Sequence, residues 1–99
     1  MTEDKLKFYQ EQNDLFISEC ERYCDIAAKY DSRWDLMTDF FLPKQSNVVE
    51  CMGYDMLGRL ETFRFDVRLL LLDNKELDYV IESKYIKKEW ENMEEQSAS

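Results

Sequence analysis

Phe63-Arg64-Phe65-Asp66-Val67-Arg68-Leu69-Leu70-Leu71 places a large apolar residue at every odd position, while Arg64, Asp66 and Arg68 occupy even ones. Successive side chains of a strand point to opposite faces, so this period of two predicts a strand with one buried face. Just upstream, Asp55-Met56-Leu57-Gly58 has turn chemistry. Val48-Val49-Glu50-Cys51-Met52-Gly53-Tyr54 is β-branched at its start and follows Ser46-Asn47, which suits the first arm of a hairpin. A two-stranded hairpin is marginal in water, and its apolar face needs a cover.

The flanking segments supply helices for that cover. From Thr2 to about Tyr30, Leu6, Tyr9, Phe16, Cys20, Tyr23, Cys24 and Ala27 recur at three- and four-residue spacing, which predicts one long amphipathic helix. Thr2 is placed as its N-cap, with Glu3 and Asp4 against the positive end of the helix dipole. Ser32-Arg33-Trp34-Asp35 has the form of a second helix start, and Trp34, Met37 and Phe41 continue at helical spacing toward Pro43. A short helix ending near Leu42 is therefore expected. Asp73-Asn74-Lys75-Glu76 reads as a cap, followed by Leu77, Val80, Ile81 and Tyr85 at helical spacing. A C-terminal helix is expected from about Asn74 to Met93. The resulting reading is a two-layer α+β domain over residues 1–93, in the order α-α-β-β-α, with a frayed polar tail at 94–99.

A chain of 99 residues with net charge −9 has room for one core and a surplus of acid to expose. The surplus is uneven: residues 1–42 carry ten acids and five bases, residues 43–72 four of each, and residues 73–99 eight acids and four bases. Such a balance argues against direct binding of nucleic acid or an anionic membrane, both polyanions. Three cysteines, Cys20, Cys24 and Cys51, are an odd number in a chain that begins without an apolar block. A reducing, cytoplasmic location is the expectation.

With no histidine in the chain, Ser-His-Asp, Cys-His and His-Glu-x-x-His arrangements are excluded. Carboxylate pairs are plentiful, but 22 acids in 99 residues bring neighbours together by composition alone. No catalytic residue, cofactor or metal is assigned, and the chain is read as non-enzymatic. Cys20, Cys24 and Cys51 could in principle act as thiolate ligands, but their place on the apolar pattern favours core packing. Arg59, Arg64 and Arg68 are read as a salt-bridged solvent face rather than an anion site.

The acids form a pattern of their own. Glu11, Asp14, Glu21 and Asp25 recur along the polar side of the first expected helix, and Asp31, Asp35 and Asp39 recur every four residues. Four helical residues rise about 6 Å, near the spacing of phosphates along one nucleic-acid strand. These seven residues are the candidate partner-binding set. Size, acidity and the missing catalytic chemistry are those of a small intracellular inhibitor, a class that includes phage-encoded inhibitors of bacterial defence nucleases such as anti-CRISPR proteins. The similarity is one of general character, and no stretch identifies a family. The leading expectation is an inhibitor that occludes a basic, nucleic-acid-binding surface of a larger protein, such as a nuclease. The alternative is an antitoxin, immunity-type or assembly protein that binds through an apolar helix face or a sheet edge, and a homodimer through the hairpin edge is a further option.

Overall fold

The computed structural model describes Lys7, Tyr9 and residues 11–98, with side chains described through Ile86. Helix α1 spans Asn13–Ala27, strands β1, β2 and β3 span Met37–Phe41, Val48–Tyr54 and Leu60–Asp66, and helix α2 spans Asn74–Ala98. Two 3₁₀ turns, Ser32–Leu36 and Val67–Leu71, join helix to sheet and sheet to helix. The sheet is antiparallel with β2 at its centre. The α+β class stands, and the sheet has three strands rather than two.

The long first helix is interrupted. Lys7, Tyr9 and Glu11 are helical, but Gln12 leaves the helical region at φ −114°, ψ 80°, and α1 begins at Asn13. Residues Gln10 to Asp14 are all polar, so the apolar stripe skips a turn and nothing there anchors a continuous helix to the core. Thr2, Glu3, Asp4 and Leu6, assigned to the start of that helix, lie outside the described residues.

The expected short helix starts at Ser32 but runs only to Leu36, as a 3₁₀ turn, and β1 takes the place of the rest. Its helical spacing has a different cause. A bulge between Met37 and Asp39 inserts one residue into β1, so Met37 and Phe40 face inward although they are three apart, while Phe41, expected to share the apolar stripe with Met37, is exposed. The turn is capped by Asp31, whose carboxylate accepts the Arg33 backbone N–H at 3.1 Å, in place of the Ser32 cap expected.

The period-two run also ends early. Val48 pairs with Asp66, and the ladder closes one residue later with the Val67 N–H donating to the Asn47 carbonyl at 2.8 Å. Asp66 then accepts the Arg68 backbone N–H at 2.9 Å, and Val67–Leu71 winds into a 3₁₀ turn that buries Val67 and Leu70, three residues apart. At α2, Asp73 caps the helix as expected, accepting the Glu76 N–H at 2.8 Å. The α2 backbone continues past Met93 to Ala98.

Both helices contribute to one core on the inner sheet face. Cys20, Tyr23 and Ala27 from α1, Val49 and Cys51 from β2, Phe65 from β3, and Leu77 and Ile81 from α2 are all buried. Tyr23 stacks on Phe65 with ring centroids 3.9 Å apart, and Trp34 stacks on Phe63 at 4.5 Å. The Trp34 indole N–H donates to the Tyr85 hydroxyl at 2.7 Å, tying the first 3₁₀ turn to α2. Arg22 donates to the carbonyls of Leu70 and Leu72 and to Asn74 Oδ1, at 3.0, 3.2 and 2.7 Å, tying α1 to the second turn.

Asp78 of α2 accepts from Lys29 and from the Tyr30 hydroxyl, both just beyond the end of α1. The Lys29 hydrogen bond, with that of Tyr30, holds the Asp78 carboxyl below the usual carboxylate range. The same bond to Asp78 pushes the Tyr30 phenol up to about 12. A depressed carboxyl stabilises the fold above its unfolded value and loses that contribution as pH falls through the folded value; the raised phenol loses its contribution as pH rises through its own. Asp78→Asn should therefore lower the melting temperature at pH 7, and the gap from wild type should be smaller at about pH 3, where the unfolded Asp is already largely protonated, and close only below the depressed folded value. Thermal melts of both proteins at the two pH values check this. A gap that persists undiminished in acid would show that the Asp78 charge does not link the helices.

Candidate functional site

The fold redistributes the seven candidate acids. Asp14, Glu21 and Asp25 are exposed on α1, seven and four residues apart, and so share one side of that helix. Glu11 is exposed too, but it precedes the break at Gln12 and does not continue the α1 row. The row expected of Asp31, Asp35 and Asp39 does not form, because no α-helix spans the three positions. Asp31 caps the first 3₁₀ turn and pairs with Arg33 at 2.7 Å, Asp35 lies within that turn, and Asp39 lies on β1 opposite Met52.

What the fold does instead is carry Asp35 to the side of Glu21 and Asp25. These three carboxylates and Thr38 line a cleft of about 310 Å³ whose remaining wall is Cys24, Trp34, Met37 and Phe40. α1 supplies one wall, the 3₁₀ turn a second, and β1 a third. None of the three acids forms an ion pair with a described residue, whereas every one of the five arginines has a carboxylate partner. Their fields converge on the Cys24 thiol. Burial first, then Cys51, Asp25, Asp35 and Glu21, push it up to about 12.

The cysteines pack as the sequence indicates. Cys20, Cys24 and Cys51 are free and buried, and burial pushes the Cys51 thiol to about 12 and that of Cys20 up as well. A thiol held that high is protonated at neutral pH, which is the wrong form for a metal ligand or nucleophile. Among the described residues, no group of three Cys, Asp or Glu side chains is placed to hold a metal ion.

The arginines are salt-bridged, but not as one row. Arg64 alone stands on the outer face of β3, 3.5 Å from Glu50 on β2. Arg59 pairs with Asp55 across the β2–β3 turn at 2.7 Å, and Arg68 pairs with Asp66 at the start of the second 3₁₀ turn at 2.5 Å. Sequence reasoning passed over a second feature, the tip of the hairpin. Tyr54, Met56, Leu57 and Leu60 are 62, 100, 76 and 54 % exposed there. Four such residues in seven positions around a turn are visible in the sequence, but only the register shows that none is drawn inward.

The chain matches no protein-family model, and no curated protein or solved structure is significantly similar to it. Among the described residues, no helix is long and apolar enough to cross a membrane.

Proposed function

We propose that this is a non-enzymatic binding protein whose acidic face occludes a Lys- and Arg-rich surface of a larger protein, of the kind that normally holds nucleic acid. The observation that carries this reading is the gathering of Glu21, Asp25 and Asp35 around one cleft without a basic partner among the described residues, in a chain whose arginines are all neutralised elsewhere. Asp14 extends the same face along α1. Uncompensated carboxylates on a rigid helix accelerate encounter with a cationic surface, and the apolar wall of the cleft can hold the stem of a lysine or arginine whose charged end meets the acids. A bacterial defence nuclease is one partner of this chemistry, and cytoplasmic action fits the three free thiols.

The test begins with affinity capture of the partner from the native host and continues with its affinity for two variants. E21Q/D25N/D35N keeps side-chain shape and removes the charge, and should weaken binding more than about tenfold, or 1.4 kcal/mol, at low salt. Glu82→Gln, an exposed acid on α2, should leave affinity unchanged. Wild-type binding should weaken as salt rises and should compete with nucleic acid. Equal affinity of wild type and triple variant at low and moderate salt would remove this reading. It would favour a second one, attachment through the apolar hairpin tip, for which the exposure of Met56 and Leu57 is the supporting observation.

A further inference from the structure

We propose that the outer edge of β1 is a docking site for an extended peptide of a partner protein, added as a fourth strand, with a lysine or arginine about four residues from a large apolar side chain. The inference rests on the reading of the acidic cleft given above, and adds the form of the ligand and where its backbone lies.

The starting point is a second cavity. A space of about 460 Å³ is lined by Tyr9, Asn13, Phe16, Phe40, Phe41, Leu42 and Lys44. Phe40 also lines the acidic cleft, so the two spaces meet along β1. Neighbouring residues of a strand point to opposite faces. The second cavity touches Phe40 together with Phe41, beyond the bulge, and therefore lies beside the strand rather than over either face of the sheet; the acidic cleft, which shares Phe40, adjoins it. One side of β1 is taken by β2, so the second cavity borders the other. No described residue pairs its backbone with β1 on that side. The result is a groove whose floor is a strand edge without a backbone partner among the described residues and whose wall is α1.

Its two ends differ in chemistry. Glu21, Asp25 and Asp35 make one end acidic, and Phe16, Phe40, Phe41 and Leu42 make the other apolar. From the Glu21–Asp25 pair to the Asn13–Phe16 pair is about 13 Å along the helix axis, which an extended chain covers in about four residues. Thr38 on β1 to Leu42, one residue beyond its end, is the same number of residues. A peptide in strand addition takes its affinity from main-chain hydrogen bonds and its specificity from such pockets.

Charge selects the occupant. The three carboxylates, which have no ion-pair partner among the described residues, favour a cationic side chain, while a second copy of this chain would bring another net charge of −9 to the same edge.

The full chain would be titrated with a capped heptapeptide carrying arginine at its second position, leucine at its sixth, and threonine or valine elsewhere, and amide hydrogen exchange would be followed by NMR. Exchange should slow within residues 37–42 of the protein, and replacing the peptide arginine by glutamate should weaken binding at least about tenfold. E21Q/D25N/D35N should abolish that preference while leaving the slowed exchange in place at high peptide concentration. If hexa-arginine binds but the heptapeptide gives no slowing at 37–42, strand addition is wrong and the acidic-cleft reading survives. If neither peptide binds, both readings fall. Slowed exchange at 37–42 that grows with protein concentration alone would assign the edge to a second copy and overturn the proposal.

Discussion

Gly53→Ala should destabilise the domain by about 3 kcal/mol or more, a fall in melting temperature of over about 10 °C for a chain of this size. Gly53 lies on the inner face of β2, where its register partner is Met37. A Cβ built at this position would stand 1.9 Å from the Leu36 carbonyl oxygen and 2.5 Å from its carbon. Those are backbone atoms at the end of the first 3₁₀ turn, with no rotamer to swing away. Either the turn or the strand must move, and the turn carries Trp34 and Asp35. The variant should therefore lose the acidic cleft along with its stability. Gly58 makes a contrast at the tip of the hairpin. It has φ 76° and open space around it, so Gly58→Ala should cost only about 1 kcal/mol of backbone strain. Urea unfolding of both variants measures the difference. If Gly53→Ala matched wild type, the close approach of the turn to β2 would be wrong.

The hairpin, its turn and the C-terminal helix were legible because each rests on local chemistry. Val48–Tyr54 and Asp73 are placed by β-branching and by capping, which act within a few residues. The errors arose where two periods coincide. On β1, Met37 and Phe41 stand four apart like residues of one helix face, but the bulge turns Phe40 inward and leaves Phe41 exposed. At Val67–Leu71 alternating residues continue to look like a strand, although burial at Val67 and Leu70 follows the 3₁₀ repeat. The acidic cleft was half legible. Glu21 and Asp25 share a helix face by spacing alone, but Asp35 joins them only through the approach of the turn to α1, a long-range contact that no local pattern encodes. The β1 edge was hidden for the same reason, since reading Met37–Phe41 as a helix removes the strand to which a peptide would add.

Phe65→Asp should leave the chain unfolded at room temperature, while Arg64→Ser should change stability by no more than about 0.5 kcal/mol. The two positions are adjacent in sequence and opposite in environment. Phe65 is 2 % exposed, stacks on Tyr23 and stands opposite Val49 on the central strand. Truncating a buried Phe to Ala typically costs about 3–5 kcal/mol, and a carboxylate in its place adds the cost of a buried charge with no partner. Domains of this kind are stable by only about 5–15 kcal/mol, so the combined loss takes most or all of it. Arg64 points from the other face of β3 into solvent, and its pairing with Glu50 at 3.5 Å is an exposed one that contributes little. Phe65→Leu provides the graded control, since it keeps the site apolar and should remain folded with a lowered midpoint. Circular dichroism and urea midpoints of the three variants decide the matter. The expected order of stability is Arg64→Ser, then Phe65→Leu, then Phe65→Asp. Any order in which Arg64→Ser is the more damaging would shift the register of β3 by one residue, and with it reverse which face of the sheet the helices cover.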